Sequence, residues 1–168
     1  MPHDVQIRPT QLADLPSLVT CLNAVFEERR FLAFTAAIPA PEAIAYHAAN
    51  ITSGHPHFVA VDGNVVVGLC DVVPAAMPRI EGQRHCATLG MLLAPAYRGQ
   101  GIGERLIRAA LAACSGRWDR IQLNVYSHNE RAHALYRKVG FVEEGRRVGA
   151  WQLDGLTSDI IDMVYRTR

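Results

Sequence analysis

Apolar residues recur every three or four positions at Leu15, Leu18, Val19, Leu22, Val25 and Phe26, the spacing of one face of a helix. Asp14 stands just before them, where the first turn of a helix favours an acid. A short strand over residues 5–9 precedes this helix. Pro41 suits the first turn of a second helix running to about residue 49 or 51, and Gly54 and Pro56 mark its end. The pattern then turns strand-like. Residues 58–61 and 65–73 flank Asp62-Gly63-Asn64, a hairpin signal. A connecting loop over residues 74–82 leads to a long strand from about 84 to 93.

A third helix begins at Ile102 and turns Ile102, Leu106 and Ala110, with Ile107, Leu111 and Cys114, to the inside before Gly116 ends it. Residues 121–125 read as a strand and 129–139 as a helix stopped by Gly140. Residues 141–150 and 159–165 read as antiparallel strands around a turn at Leu153-Asp154-Gly155. The order β-α-α-β-β-β-α-β-α-β-β predicts an α/β chain of the mixed-sheet, α+β kind, with helices covering a mainly antiparallel sheet. No repeat, linker or low-complexity segment interrupts it, so residues 1–168 are expected to form a single domain.

Composition narrows the classes. Hydrophobic residues make up 49% and charged residues 20%, which argues against disorder. No apolar run reaches membrane-spanning length, and the first residues lack the basic and apolar regions of a secretory signal. Cys21, Cys70, Cys86 and Cys114 are scattered in apolar contexts, which predicts buried free thiols and a cytoplasmic protein. No Cys or His pair has local ligand spacing, so no metal is expected. The formal charge of +1 is uneven: residues 98–147 carry a net of +5 and the rest −4. That field would attract a polyanion, but no basic stripe interleaved with aromatics suggests nucleic acid.

The basic half contains Arg98-Gly99-Gln100-Gly101-Ile102-Gly103, between a strand and a helix. Three glycines in five positions let backbone N–H groups approach an anion. No Gly-Lys-Ser/Thr closes the segment, and the glycine spacing is not that of a dinucleotide fingerprint. A second run follows, with Asn129, Ala132, Leu135, Tyr136, Gly140 and Phe141 at fixed intervals. Together the two segments, in this order, resemble the general-control-related N-acetyltransferase (GNAT) superfamily. Arg98, Gly101 and Gly103 match its Arg/Gln-x-x-Gly-x-Gly/Ala segment. The later residues match its Asn-x-x-Ala-x-x-Leu-Tyr-x-x-x-Gly-Phe run.

The resemblance implies the GNAT fold, a splayed central sheet flanked by helices, and acetyl-CoA as the acetyl donor. Arg98, Gly99, Gln100, Gly101, Ile102 and Gly103 would then hold the pyrophosphate, with Gly99 and Gly101 leaving room that a Cβ would obstruct. Backbone groups of Met91, Leu92 and Leu93 would pair with the pantetheine arm as a sheet edge pairs with a peptide. Asn124 and Asn129 would add contacts to that arm, although Asn129 also suits a helix N-cap. Tyr136 would protonate the leaving thiolate, the alternative being an aromatic core residue.

The general base is open. Thr88 stands where many relatives carry an acid, and threonine accepts no proton at neutral pH. His85 is the first candidate, followed by Glu81 and Asp71. No cysteine has an adjacent His and acid, so direct attack in a ternary complex is expected. The C-terminal half is similar to the branch holding amino-acid, phosphinothricin-type and ribosomal-protein N-terminal acetyltransferases. Phe31, Phe34, Arg79, Arg84 and Trp151 are candidate acceptor-binding residues. The acceptor would be a small amino acid or related amine, or alternatively a protein N-terminus. A noncatalytic acyl-CoA sensor is the third alternative. A homodimer formed through the strands around Trp151 and Ile160-Ile161 is expected, with no nucleic-acid or membrane partner.

Overall fold

A computed structural model describes residues 4–75 and 79–167. The chain divides into two compact units, one made of residues up to 73 with 90–114, the other of residues 74–89 with 115 onward. In the first, β1 (Val5–Pro9), α1 (Leu15–Phe26), α2 (Ala40–Thr52), β2 (His57–Asp62) and β3 (Val65–Pro74) come in the expected order. The end of β4 (Cys86–Leu93) and all of α3 (Ile102–Ala113) complete it.

The apolar face of α1 explains its place. Leu15, Leu18, Leu22, Val25 and Phe26 are buried in one cluster with Val59, Val61, Val66, Leu69 and Leu92 of the strands. β1 pairs antiparallel to β2, with Val5 opposite Asp62, and β2 pairs antiparallel to β3, with His57 opposite Asp71. A register shift at Ala60/Val61 fixes which residues share a face. Asp14 stands at the start of α1, as expected, and has a further partner. It closes a short 3-10 turn, Leu12–Asp14, and its carboxylate accepts two bonds from Arg8 at 2.7 and 2.8 Å and one from the Gln11 N–H.

The second unit contains the start of β4, then β5 (Arg120–Tyr126), α4 (Glu130–Val139), β6 (Val142–Leu153) and β7 (Leu156–Arg166). β4 and β5 are parallel over a ladder from Cys86–Arg120 to Thr88–Gln122. β5 pairs antiparallel to β7 along its whole length, and β7 to β6. The sheet is therefore mixed, with parallel and antiparallel neighbours, as the element order predicts. β4 begins at Cys86 and not at residue 84, because Glu81–Gln83 forms a 3-10 turn. β6 and β7 are longer than their patterns suggest, since Asp154 (φ 50°) and Gly155 (φ 80°) make a two-residue hairpin turn. Residues 76–78 of the expected 74–82 loop lie outside the described residues.

α4 has both expected ends. The Asn129 side chain accepts a bond from the Ala132 N–H, and Gly140 (φ 108°) stops the helix with its N–H donating to the Arg137 carbonyl. All four cysteines are buried and free, as their apolar contexts predict. Among the described residues, no helix is long and apolar enough to cross a membrane.

Candidate active site

The glycine turn follows β4 after a short 3-10 turn, Pro95–Tyr97. Gly99 and Gly101 both have φ 77°, a left-handed conformation that disfavours any side chain, and Gly101 is the N-cap residue of α3. Beyond its two chain neighbours, no atom of the described residues lies within 4 Å of where a Cβ at Gly101 would stand, so backbone conformation sets the requirement within the chain itself. The first amides of α3 lack partners inside the helix, as at every helix start, and are suited to phosphate oxygens. The Ile102 side chain is buried, so only its backbone is suited to that task.

Arg98 braces this turn. Its Nε–H donates to the Leu93 carbonyl at 2.9 Å, and its other nitrogens donate to both carboxylate oxygens of Glu28. Phe31 lies beneath the guanidinium, 5.7 Å from ring centroid to Cζ. The side-chain amide of Gln100 donates to the Ala96 carbonyl at 2.8 Å. Arg105 of α3 donates to the Val5 carbonyl at 3.0 Å.

A buried polar row crosses the strands of the same unit. Thr10 follows β1, His57 opens β2, Asp71 lies opposite His57 on β3, and Gly90 belongs to β4. The Thr10 N–H donates to the His57 carbonyl, and Thr10 Oγ1 stands 2.7 Å from His57 Nδ1. His57 Nε2 is 2.9 Å from Nδ1 of His47, which α2 supplies. The Asp71 carboxylate lies over Gly90, where a Cβ would come within 2.6 Å of its Oδ1. Gly90 precedes Met91, Leu92 and Leu93, the backbone stretch expected to dock the pantetheine arm. Leu92 and Leu93 are buried and Met91 is half-buried.

Burial sets the charge state of this row. Asp71 is 7% exposed, and desolvation pushes its carboxyl up to about 6 against the opposing effect of hydrogen bonds from the Gly90 and Asp71 backbone. Burial also pushes His57 down to about 4, with His47 adding to the shift, and lowers His47. At neutral pH the row therefore holds an anionic carboxylate and two neutral imidazoles. One donor atom from each of His47, His57 and Asp71 lies within 4.8 Å of the others. That spacing is compatible with a divalent cation. His47 Nδ1 and both nitrogens of His57, however, are already engaged, with each other and with Thr10, as in a hydrogen-bonded chain.

The other candidate bases sit elsewhere. His85 is exposed, and its carbonyl accepts the N–H groups of Asp119 and Arg120. Glu81 is exposed and pairs with Arg84 at 3.4 Å, and Arg79 is exposed. Phe34 is 57% exposed, with its ring 5.3 Å from that of Phe26.

In the second unit, Tyr136 of α4 is 9% exposed and packs edge-on against Phe141 at 5.9 Å. Asn124 is exposed and stands opposite Asp162. Trp151 stacks on Tyr126 at 4.9 Å and tilts against His128 at 5.0 Å, an aromatic trio of which only Trp151 stands out in the sequence. Ile161 is core and cannot serve a dimer contact, while Val142 and Val148 of β6 are exposed. The sequence also gives no notice of His47, His57, Thr10 or Glu28. Their partners lie 10 to 70 residues away, beyond the reach of any local spacing rule.

The model of the acetyltransferase (GNAT) family matches residues 22–141. The N-alpha-acetyltransferase RimI of Mycobacterium tuberculosis is 36% identical over 108 residues, which are 63% of this chain and 65% of that protein. The crystal structure of a ribosomal-protein-alanine N-acetyltransferase from Brucella melitensis superposes with a TM-score of 0.85 at 26% identity, covering 96% of this chain and 99% of the other. A phosphinothricin acetyltransferase from Sinorhizobium meliloti, in complex with AcCoA, has a TM-score of 0.86 at 20% identity, covering 96% and 88%.

Proposed function

The chain belongs to the acetyltransferase (GNAT) family, and we propose that it is a single catalytic domain that transfers acetyl from acetyl-CoA to a primary amine by direct attack in a ternary complex. Acetyl-CoA supplies an activated thioester. The Gly99–Gly103 amides and Arg98 bind its pyrophosphate. The fit rests on the left-handed glycines at the start of α3, where first-turn N–H groups have no acceptor within the helix itself. The backbone of Met91, Leu92 and Leu93 binds the pantetheine arm, and one of its N–H groups faces the carbonyl oxygen as negative charge develops there. This stretch lies beyond the β4–β5 ladder, which ends at Thr88. Asn124 and Asn129 add side-chain contacts, Asn129 keeping its cap as well.

Asp71 is the general base. The observation that carries the assignment is its buried carboxylate, held against Gly90 at the head of the Met91–Leu93 stretch. A carboxyl titrating at about 6 is ionised at pH 7 and still accepts the proton that becomes acidic as the C–N bond forms. The exposed positions of His85 and Glu81 give them no comparable environment. Tyr136 Oη donates a proton to the leaving sulfur. Phe31, Phe34, Arg79, Arg84 and Trp151 remain the residues assigned to the acceptor.

The acceptor is a small amino acid or related amine. A protein N-terminus is the second reading, favoured by the likeness to RimI and to the Brucella enzyme. A buried, shifted carboxylate argues against a sensor without chemistry. Calorimetry is expected to give saturable acetyl-CoA binding, and a thiol-release assay over amino acids and short peptides is expected to identify the amine. No binding at millimolar acetyl-CoA would overturn the assignment. Binding without CoA release from any amine would leave the sensor.

A further inference from the structure

Two imidazoles and a carboxylate are buried together in the first unit. His57, His47 and Asp71 are 4%, 6% and 7% exposed, and β2, α2 and β3 supply one each. Among the described residues they form the one group of three His, Cys, Asp or Glu side chains whose donor atoms all lie within 4.8 Å of one another. Each donor comes from a different element, so no local spacing announces the group. A surface cluster of such groups is solvated, but a buried one needs partners.

The hydrogen bonds already present hold these donors where a cation would use them. His47 Nδ1 and His57 Nε2 face each other at 2.9 Å, one carrying the proton between them and the other its lone pair. Two nitrogens on one tetrahedral zinc-class ion, each about 2.0–2.1 Å from it, stand about 3.3 Å apart, so this pair has to open by roughly 0.4 Å. The shared proton passes to the far nitrogen of its own ring, which leaves both imidazoles neutral and both facing lone pairs free. Outer partners are in place as well. Thr10 Oγ1 stands 2.7 Å from His57 Nδ1 and accepts its N–H when Nε2 coordinates, and the Gly90 N–H holds the Asp71 carboxylate. Contacts of this kind fix the orientation of metal ligands.

We propose that His47, His57 and Asp71 form a binding site for a dication of the zinc class, and that filling this site silences acetyl transfer. Two imidazoles and one carboxylate suit Zn2+ or Co2+ better than Mg2+ or Ca2+, which take oxygen donors. Three protein ligands leave a fourth position for water. The silencing rests on Asp71 as the general base, because the carboxylate that would take the amine's proton is then committed to the metal. Binding itself rests only on the three donors.

The test titrates chelator-treated, tag-free protein with Co2+ and then with Zn2+. A visible d–d band should grow to one Co2+ per chain, vanish as Zn2+ displaces it and ignore Mg2+. Zn2+ should also raise Tm, since it binds the folded chain. Transfer, followed as acetylated amine, should fall about tenfold or more as the site fills. His47→Gln removes one ligand and should lose the band while its acetyl transfer continues and no longer responds to Zn2+. Thr10→Val keeps all three donors and should weaken Co2+ binding about tenfold to a hundredfold, which keeps the test open should His47→Gln fail to fold. No band in the parent would overturn the site, as would a band unchanged in folded His47→Gln and Thr10→Val. A strong near-ultraviolet thiolate band would put the metal on a cysteine and overturn it too. A site filled in the parent and lost in His47→Gln, with transfer undiminished by the metal, would uphold the metal site and remove Asp71 as the base.

Discussion

The Asp71 Oδ1 occupies the space where a side chain at Gly90 would begin, 2.6 Å from the Cβ position, so the two residues exclude any larger pair. Gly90→Ala is expected to push the carboxylate aside, costing about 1–3 kcal/mol of stability and at least tenfold in kcat. The cause is open to a double-mutant cycle. With Asp71→Ala already in place, Gly90→Ala should cost little stability by urea denaturation. An equal cost in both backgrounds would show that the Asp71 contact is not responsible.

The same carboxylate and His57 pull acid stability in opposite directions. Asp71 titrates at about 6 in the fold, against an ordinary 3.8, so the native state binds the extra proton in that window. Its contribution to stability falls as pH rises through it. His57 titrates at about 4, against 6.5, so the unfolded state binds the extra proton and stability rises with pH. Between roughly pH 4 and 6 the two nearly cancel. Asp71→Asn should therefore be more stable than the parent at pH 7, by on the order of 3 kcal/mol, and more steeply acid-labile below pH 6.5. Urea denaturation at pH 4.5, 5.5 and 7 checks this, and parallel pH slopes would refute it.

What the sequence makes legible is local. The stripe of Ile102, Leu106 and Ala110, the Asn129 cap and the Gly140 stop each depend on neighbours within a few residues, and all three are found. The pairing of His57 with Asp71 depends on strand register. That register passes through a shift at Ala60/Val61, which counting from the Asp62-Gly63-Asn64 turn does not reveal. Irregularities at Glu143/Gly145 and Arg147/Trp151 likewise break the alternation of β6 and hide its length. Asp14 is legible as a helix-start acid, but its pairing with Arg8 of the preceding strand is not. For the candidate site, the glycine turn and Tyr136 are visible as motif. The imidazoles behind Asp71 are visible only once the chain is folded.

Glu28 holds Arg98 in place and should matter for cofactor affinity without touching the cofactor. Both carboxylate oxygens receive the guanidinium, which also ties back to the Leu93 carbonyl. Glu28→Gln is expected to raise the KM for acetyl-CoA about threefold to tenfold with kcat unchanged, the pattern of lost uniform binding. Arg98→Lys should weaken binding further, because lysine cannot make the bidentate contact. A fall in kcat alone in Glu28→Gln would contradict the bracing role.

The edge of the second unit's sheet predicts assembly. β6 follows β7 at the end of the strand order, and Val148 on it is 82% exposed, with Val142 at 58%. An open strand edge with exposed valines is suited to a second copy. Light scattering at low micromolar concentration is expected to give a dimer, and Val148→Asp a monomer. A mass that stays monomeric across concentrations would refute the contact.

Tyr136 separates chemistry from packing most cleanly. Its ring is nearly buried on α4 and lies edge-on to Phe141, while its carbonyl accepts the Phe141 N–H that helps close the helix. Tyr136→Phe keeps the ring and the backbone and removes only the hydroxyl, so thermal stability and acetyl-CoA affinity should change little. With the phenol protonating the thiolate, kcat at neutral pH should fall by tenfold to about a thousandfold where chemistry limits turnover. Single-turnover transfer with saturating acetyl-CoA removes product release from the measurement. An unchanged rate there would return Tyr136 to the core. The nature of the leaving group gives a second reading. An acyl donor whose thiol is more acidic needs less protonation as it departs, so the gap between Tyr136→Phe and the parent should narrow with that donor. A constant gap would mean that the hydroxyl acts by positioning the arm and not by donating the proton.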